Sequence, residues 1–132
     1  MKIFLDANII LDLIDIDRNN QKKAKEHLKN YILKADELYT SCDIFTTIYY
    51  VASKKIEHKV LLEELEKILT FISILPIDIN TITKAMKISK TTNQKDLEDI
   101  LQYICAKDNN CKLIVTNDKK FYSPDIELES IS

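Results

Sequence analysis

Glycine is absent from this sequence of 132 residues, where ordinary usage of about 7% would supply roughly nine. Without it there is no Walker A loop, no G-x-G-x-x-G dinucleotide turn and no G-x-S-x-G nucleophile elbow. Each of those needs backbone at positive φ, or a main chain that approaches a phosphate more closely than a Cβ permits. A whole tier of cofactor enzymes is excluded on that ground. Histidine is scarce: only His27 and His58 occur, too few for a His-rich zinc site or a multi-histidine catalytic centre. Arginine occurs once, at Arg18, which argues against bidentate guanine readout as a source of sequence choice. The three cysteines, Cys42, Cys105 and Cys111, form no C-x-x-C pair, and an odd count suggests a reducing compartment. No apolar run approaches the ~20 residues needed to span a membrane. The opening MKIFLDANIILDLID is broken by Asp6, and no small-residue cleavage site follows. The expectation is a soluble, cytoplasmic chain.

What is present is globular in character: 45% hydrophobic and 30% charged residues, enough to bury a real core at this length. The net charge of −2 argues against a strong overall positive field for nucleic acid. It leaves open an enzyme that reaches nucleic acid through bound cations. No linker, repeat or low-complexity segment divides residues 1–132, so one domain is expected.

Apolar runs and spacings alternate along the chain. KIFL (2–5), Leu38-Tyr39-Thr40, SILPI (73–77) and KLIVT (112–116) read as strands, with a last short edge strand near 126–131. Helical spacing marks IILDLIDI, with Asn8 as N-cap, and 20–36 through Ala24, Leu28, Ile32 and Ala35. Ser41 is expected to cap a helix carrying Ile44, Ile48 and Val51 on one face. A helix over 57–72 should turn Leu62, Leu65, Leu69 and Ile72 inward. Residues 80–90 make a short helix, and 97–108 another through Leu97, Leu101, Ile104 and Cys105. The alternation predicts an α/β domain with a mainly parallel sheet.

In such a sheet, ligands bind beyond the carboxyl ends of the strands. Asp6 follows the first strand; Thr116, Asn117 and Asp118 follow the strand at 112–116; Asp96-Leu97-Glu98-Asp99 opens a late helix. Three acidic positions far apart in sequence therefore converge on one sheet edge. Clustered carboxylates are costly unless something neutralises them, and a hard divalent cation, Mg²⁺ or Mn²⁺, suits oxygen ligands. Such a site can activate water and stabilise a leaving oxygen, for which phosphodiester hydrolysis is the natural use. Plainer roles exist for each residue: capping or dipole complementation for Asp6, Asp96, Asp99 and Asp43, a turn for Asp118, and a solvated face for Glu98, Asp12, Asp15 and Asp17. Tyr49-Tyr50 reads as packing. Lys22, Lys23, Lys25, Lys54, Lys55, Lys119 and Lys120 either ring an RNA-binding edge or simply coat the surface.

FLDANIILDL at the start, DLEDILQYICA in the third quarter and IVTNDKKF near the end, in this order, resemble a PIN domain across essentially the whole chain. The likeness is to the small stand-alone ribonucleases of the VapC type, toxins of type II toxin–antitoxin pairs. The resemblance implies a three-layer α/β domain and a Mg²⁺- or Mn²⁺-dependent endoribonuclease acting on RNA. It further implies a homodimer, inhibited by a partner antitoxin protein. By the same resemblance Asp6, Asp99 and Asp118 hold the metal and Asp96 is auxiliary, while Thr116 and Asn117 orient water or phosphate. Asn8, Ser41 and Asp43 are further candidates for positioning substrate. The pattern departs at one place: PIN nucleases commonly carry a Glu about six residues past a Ser in the helix after the second strand, and that position here is Thr47. Asp43, one turn earlier, is the nearest acid.

Two other classes compete. One is a PIN fold kept as a binding or scaffold module after its site weakened. The other is a phosphatase or phosphotransferase of the haloacid-dehalogenase type, against which stand the Asn8 in place of the second Asp of D-x-D and the missing glycine.

Overall fold

Short apolar segments lie side by side as a parallel sheet in a computed structural model that describes residues 1–131. The strands are β1 (Lys2–Leu5), β2 (Glu37–Ser41), β3 (Ile72–Leu75), β4 (Leu113–Val115) and β5 (Glu127–Glu129), in the order β3-β2-β1-β4-β5. All four pairings are parallel. Helices α1 (Ala7–Ile14) and α2 (Gln21–Leu33) join β1 to β2, and α3 (Asp43–Ala52) and α4 (His58–Ile68) join β2 to β3. Helices α5 (Ile79–Thr92) and α6 (Leu97–Asp108) carry the chain back across the sheet to β4.

Strand alternation sorts the core into two layers. Ile3 and Leu5 of β1 pack with Ile9 and Ile10 of α1, Ile44 and Ile48 of α3 and Leu61 of α4. Phe4, between them in sequence, faces the other way and packs with Ala85 of α5 and Ile100 and Ile104 of α6. The reversal follows from handedness: parallel crossovers are right-handed, so a chain that changes direction along the sheet must put its helices on the opposite face. The result is the expected α/β domain of three layers.

Several expectations are corrected. In α4 the inward residues are Leu61, Leu65 and Ile68, whereas Leu62 and Leu69 are exposed and Ile72 belongs to β3. The face of α2 is Ala24, Leu28 and Tyr31, with Ile32 and Ala35 outside. Leu97 is exposed, and Ile100 takes its place in the core. Asn8 is not a cap: it lies exposed inside α1, whose N-cap is Asp6. Ser41 ends β2, and α3 starts after Cys42 with no side-chain cap. Asp12 and Asp15 are buried rather than solvated, and both face Arg18.

A chain without glycine must still end its helices. α2 and α6 both finish in Schellman motifs, with Asp36 N–H donating to the Tyr31 carbonyl and Cys111 N–H to the Ala106 carbonyl. The left-handed residue is Ala35 (φ 62°) in the first and Asn110 (φ 60°) in the second. Asparagine tolerates that conformation; alanine holds it against its Cβ.

Candidate metal and active site

The sheet changes direction between β1 and β4, so the switch point lies between their carboxyl ends. Asp6 stands there, 7% exposed, as the N-cap of α1. Its Oδ1 accepts from the Ala7 N–H at 2.7 Å and its Oδ2 from Thr116 Oγ1 at 2.8 Å. The same Thr116 oxygen accepts from the Asp118 N–H at 3.1 Å, so one hydroxyl ties the first acid to the turn bearing the last. Asp118 in turn accepts from the Lys120 N–H at 2.9 Å. Asp96 caps α6 by accepting from the Asp99 N–H at 3.1 Å, which sets Glu98 and Asp99 on the first turn of that helix.

These elements enclose a cavity of about 260 Å³ lined by Asp6, Asn8, Thr47, Asp96, Glu98, Asp99 and Asp118. Among the described residues none of its five acids forms an ion pair with a basic group. Burial and mutual repulsion show in the acidities of Asp6, Glu98 and Asp99. Burial, then the negative charges of Asp96, Asp6 and Asp118, pushes the Asp99 carboxyl up to about 7. Burial also raises Asp6, against the hydrogen bonds from Thr116 and Ala7, and raises Glu98, with Asp43, Asp96 and Asp6 adding to it.

The donor set is all oxygen and all negative, which fits Mg²⁺ or Mn²⁺ and not zinc. Among the described residues no three His, Cys, Asp or Glu side chains stand close enough together, as placed, to hold a metal ion between them. The cavity is an open one, suited to a cation that keeps much of its own water.

The structure thus brings Asp6, Asp96, Asp99 and Asp118 to one cavity, with Asn8 on its rim. Ser41 and Asp43 are not among its lining residues: Ser41 is buried and its hydroxyl donates to the Asp43 carboxylate. Asn117 accepts from the Ile131 N–H at 2.9 Å and lines a neighbouring cleft instead. Thr47, the position that the resemblance compares with a Glu, does line the cavity. Glu98 lines the cavity as well, while standing exposed as the sequence suggests, and its carboxylate accepts from the Gln102 amide four residues on at 3.5 Å.

Comparison with known proteins points one way. Residues 3–127 match the PIN domain model. The chain is 41% identical over 128 residues to Ribonuclease VapC1 of Aquifex aeolicus, covering 96% of this chain and 88% of that protein. Its fold is similar to that of a chain in the VapBC2 complex of Rickettsia felis bound to a promoter DNA fragment, with a TM-score of 0.74 and 18% identity over 98% of both chains. It also resembles a chain of FitAcB from Neisseria gonorrhoeae, with a TM-score of 0.69 and 23% identity over 96% of this chain and 95% of that one. A further fold match is Mycobacterium tuberculosis VapC20, a toxin that cleaves the sarcin-ricin loop, with a TM-score of 0.71 and 12% identity over 90% and 92% of the two chains.

Proposed function

The chain belongs to the PIN-domain family, and on that premise we propose that it is a divalent-metal-dependent endoribonuclease, the toxin of a toxin–antitoxin pair. The observation that carries this reading is the cavity at the switch point, where five carboxylates stand without a basic partner and Asp99 rises to about 7. The 41% identity to a ribonuclease supports RNA as substrate, and the likeness to chains of toxin–antitoxin complexes supports a partner antitoxin. Among the described residues no helix is long and apolar enough to cross a membrane.

Asp6 and Asp99 would hold the cation, with Asp118 completing the set and Asp96 beside them. Bound there, Mg²⁺ or Mn²⁺ supplies Lewis acidity toward a phosphoryl oxygen and lowers the pKa of water. The chain's own residues supply orientation. Ala7 N–H and Thr116 Oγ1 fix both oxygens of Asp6, so that carboxylate meets its ligand without reorganising. Asp96 holds the first turn of α6, and with it Asp99, against the cavity. Asn8 lies exposed at the rim, where an incoming strand would meet it. Thr116 couples Asp6 to Asp118, so movement of one acid is felt by the other.

The test is RNA cleavage by purified protein in Mg²⁺, Mn²⁺ or EDTA, beside Asp6→Asn and Asp99→Asn. Metal-dependent fragments absent from both variants support the reading. Equal fragments from all three proteins refute it. A second reading, the PIN fold retained as a binding module, is favoured by one observation: Thr47 puts a hydroxyl where the cavity would otherwise gain a carboxylate. Mn²⁺ binding by calorimetry separates the two, since a module has no use for a cation at Asp6.

A further inference from the structure

Asn8 and Asp118 have a second cavity on their other side. This cleft, of about 460 Å³, is lined by Asn8, Asp12, Arg18, Asn20, Asn117 and Asp118. Because it shares Asn8 and Asp118 with the carboxylate cavity, the two adjoin as one depression. The first end is lined by acids with no basic residue; the second adds the sole arginine of the chain, flanked by Asp12 and Asp118 and by the amides of Asn8, Asn20 and Asn117.

That arginine is held in place. Its Nη1 donates to Asp12 Oδ1 at 3.1 Å, and its Nε lies 3.9 Å from Asp15 Oδ2. Asp12 is 4% exposed, while Asp15 is also met by Lys55 at 3.6 Å and accepts from the Asp17 N–H. Packing apolar residues on this face of α1 would serve stability at least as well as burying two carboxylates. What the carboxylates add is a fixed guanidinium. The Arg18 side chain is 30% exposed, and the bond to Asp12 engages one of its five N–H donors. A planar fork so presented matches the oxygens of a phosphodiester. Two further features favour an anionic strand there. Asn20, the N-cap of α2, lines the cleft and makes no capping hydrogen bond, so the amino end of that helix borders it. Lys22 and Lys23 stand exposed on the first turn of the same helix, and Lys119 and Lys120 follow Asp118.

We propose that the Arg18 cleft seats the RNA phosphodiester adjacent to the scissile one, with Arg18 and Asn20 positioning the strand as it leaves the carboxylate cavity. The assignment rests on the nuclease reading and extends it by giving the substrate's path a direction, from the acids toward the α1–α2 loop.

The experiment reads binding of a fluorescein-labelled single-stranded oligoribonucleotide by anisotropy, in an Asp99→Asn background that leaves the RNA intact. Salt is varied over roughly 50 to 300 mM, so that the slope reports phosphate contacts. Arg18→Gln is expected to weaken binding roughly tenfold, as for loss of a charged hydrogen bond, and to lower the salt slope by about 0.7. Because that variant also strips a partner from buried Asp12, Asn20→Lys is the companion: it removes no capping bond, adds a charge to the cleft, and should tighten binding and steepen the slope. In the cleaving protein Arg18→Gln should raise KM more than it lowers kcat, whereas a merely structural arginine would lower the melting temperature and the active fraction with KM unchanged. Unchanged affinity and slope in both variants, alongside normal RNA binding by the parent, overturn the proposal and leave the nuclease reading standing. Absence of RNA binding and of cleavage by the unsubstituted chain overturns both.

Discussion

Removing a proposed metal ligand should make the metal-free protein more stable. Asp99 titrates at about 7 against an ordinary value of 3.8. A carboxyl raised on folding favours the folded state at pH below its unfolded value, and that benefit is lost as the pH climbs through the folded value. Above pH 7 the charged Asp99 therefore works against folding. A displacement of roughly 3 units corresponds to about 4 kcal/mol at most. The site is half open to water, which screens the repulsion, so about 1–2 kcal/mol is the realistic magnitude. Asp99→Asn keeps the shape and the helix start while deleting the charge. In EDTA at pH 8 the variant should melt about 4–8 °C above the parent, at about 4 °C per kcal/mol for a chain of this size. The gain should be small at pH 4, grow through pH 5 and 6, and level off above 7. Mn²⁺ should reverse the order, because a cation bound only by the folded parent stabilises it by mass action and the variant lacks a ligand. Calorimetric melts across pH, with and without Mn²⁺, provide the check. A variant that melts at or below the parent in EDTA at pH 8 would show that these acids are not held against their own repulsion, and would remove the electrostatic ground for a cation here.

Thr116→Val deletes the hydroxyl shared by Asp6 and the Asp118 N–H without changing shape; stability should fall by about 1–3 kcal/mol, and the acid limb of the cleavage profile should move to higher pH, since Thr116 holds Asp6 down. Denaturant melts and a pH–rate series measure the two effects. Thr47→Glu adds a sixth carboxylate to the cavity and should lower the melting temperature in EDTA while enlarging the rise on adding Mn²⁺; no change in either would argue that Thr47 faces the cavity without acting in it. Ala35→Gly relieves a Cβ at φ 62° in the Schellman turn after α2 and should stabilise by up to about 1 kcal/mol, read as a higher urea midpoint.

How far the sequence could be read varied with the physics at each place. KIFL and LIV announce themselves because strands buried on both faces must be continuously apolar, and once β1 and β4 are placed, the residues after them fall at the sheet edge where ligands bind. Asp6 and Asp118 are legible by that route, and Asp99 from the acidic opening of the helix before β4. The face of α4 was not: in HKVLLEELEKI, Leu61 and Leu62 differ by 100° of rotation, and only the tilt of the helix on the sheet selects Leu61. Asp12 and Asp15 misled for another reason. A carboxylate spacing looks like a water-facing stripe, and what reverses it is Arg18, reached across the α1–α2 loop, with Lys55 arriving from beyond α3. Asn8 misled because two residues of the Asp-Ala-Asn segment suit a cap, and the winner depends on where β1 stops.

Capping and the proposed chemistry do not compete at Asp6 and Asp96. Each caps a helix whose amino end borders the cavity, α1 for Asp6 and α6 for Asp96. Capping fixes the carboxylate, and the helix end opposes its charge. A helix terminus carries about half a positive charge, so two of them offset about one unit. Five acids share the cavity, and Asp99 still rises to about 7, so the helices relieve the repulsion without removing it. Held this way, the cluster keeps most of its negative charge at the proposed cation site. Replacing the caps by neutral Asn would keep the helices and spend that charge, which is why Asp6→Asn should leave a folded protein whose Mn²⁺ affinity, measured by calorimetry, falls at least tenfold, the loss of one charged ligand. Retained affinity in that variant would return Asp6 to the role of a cap alone.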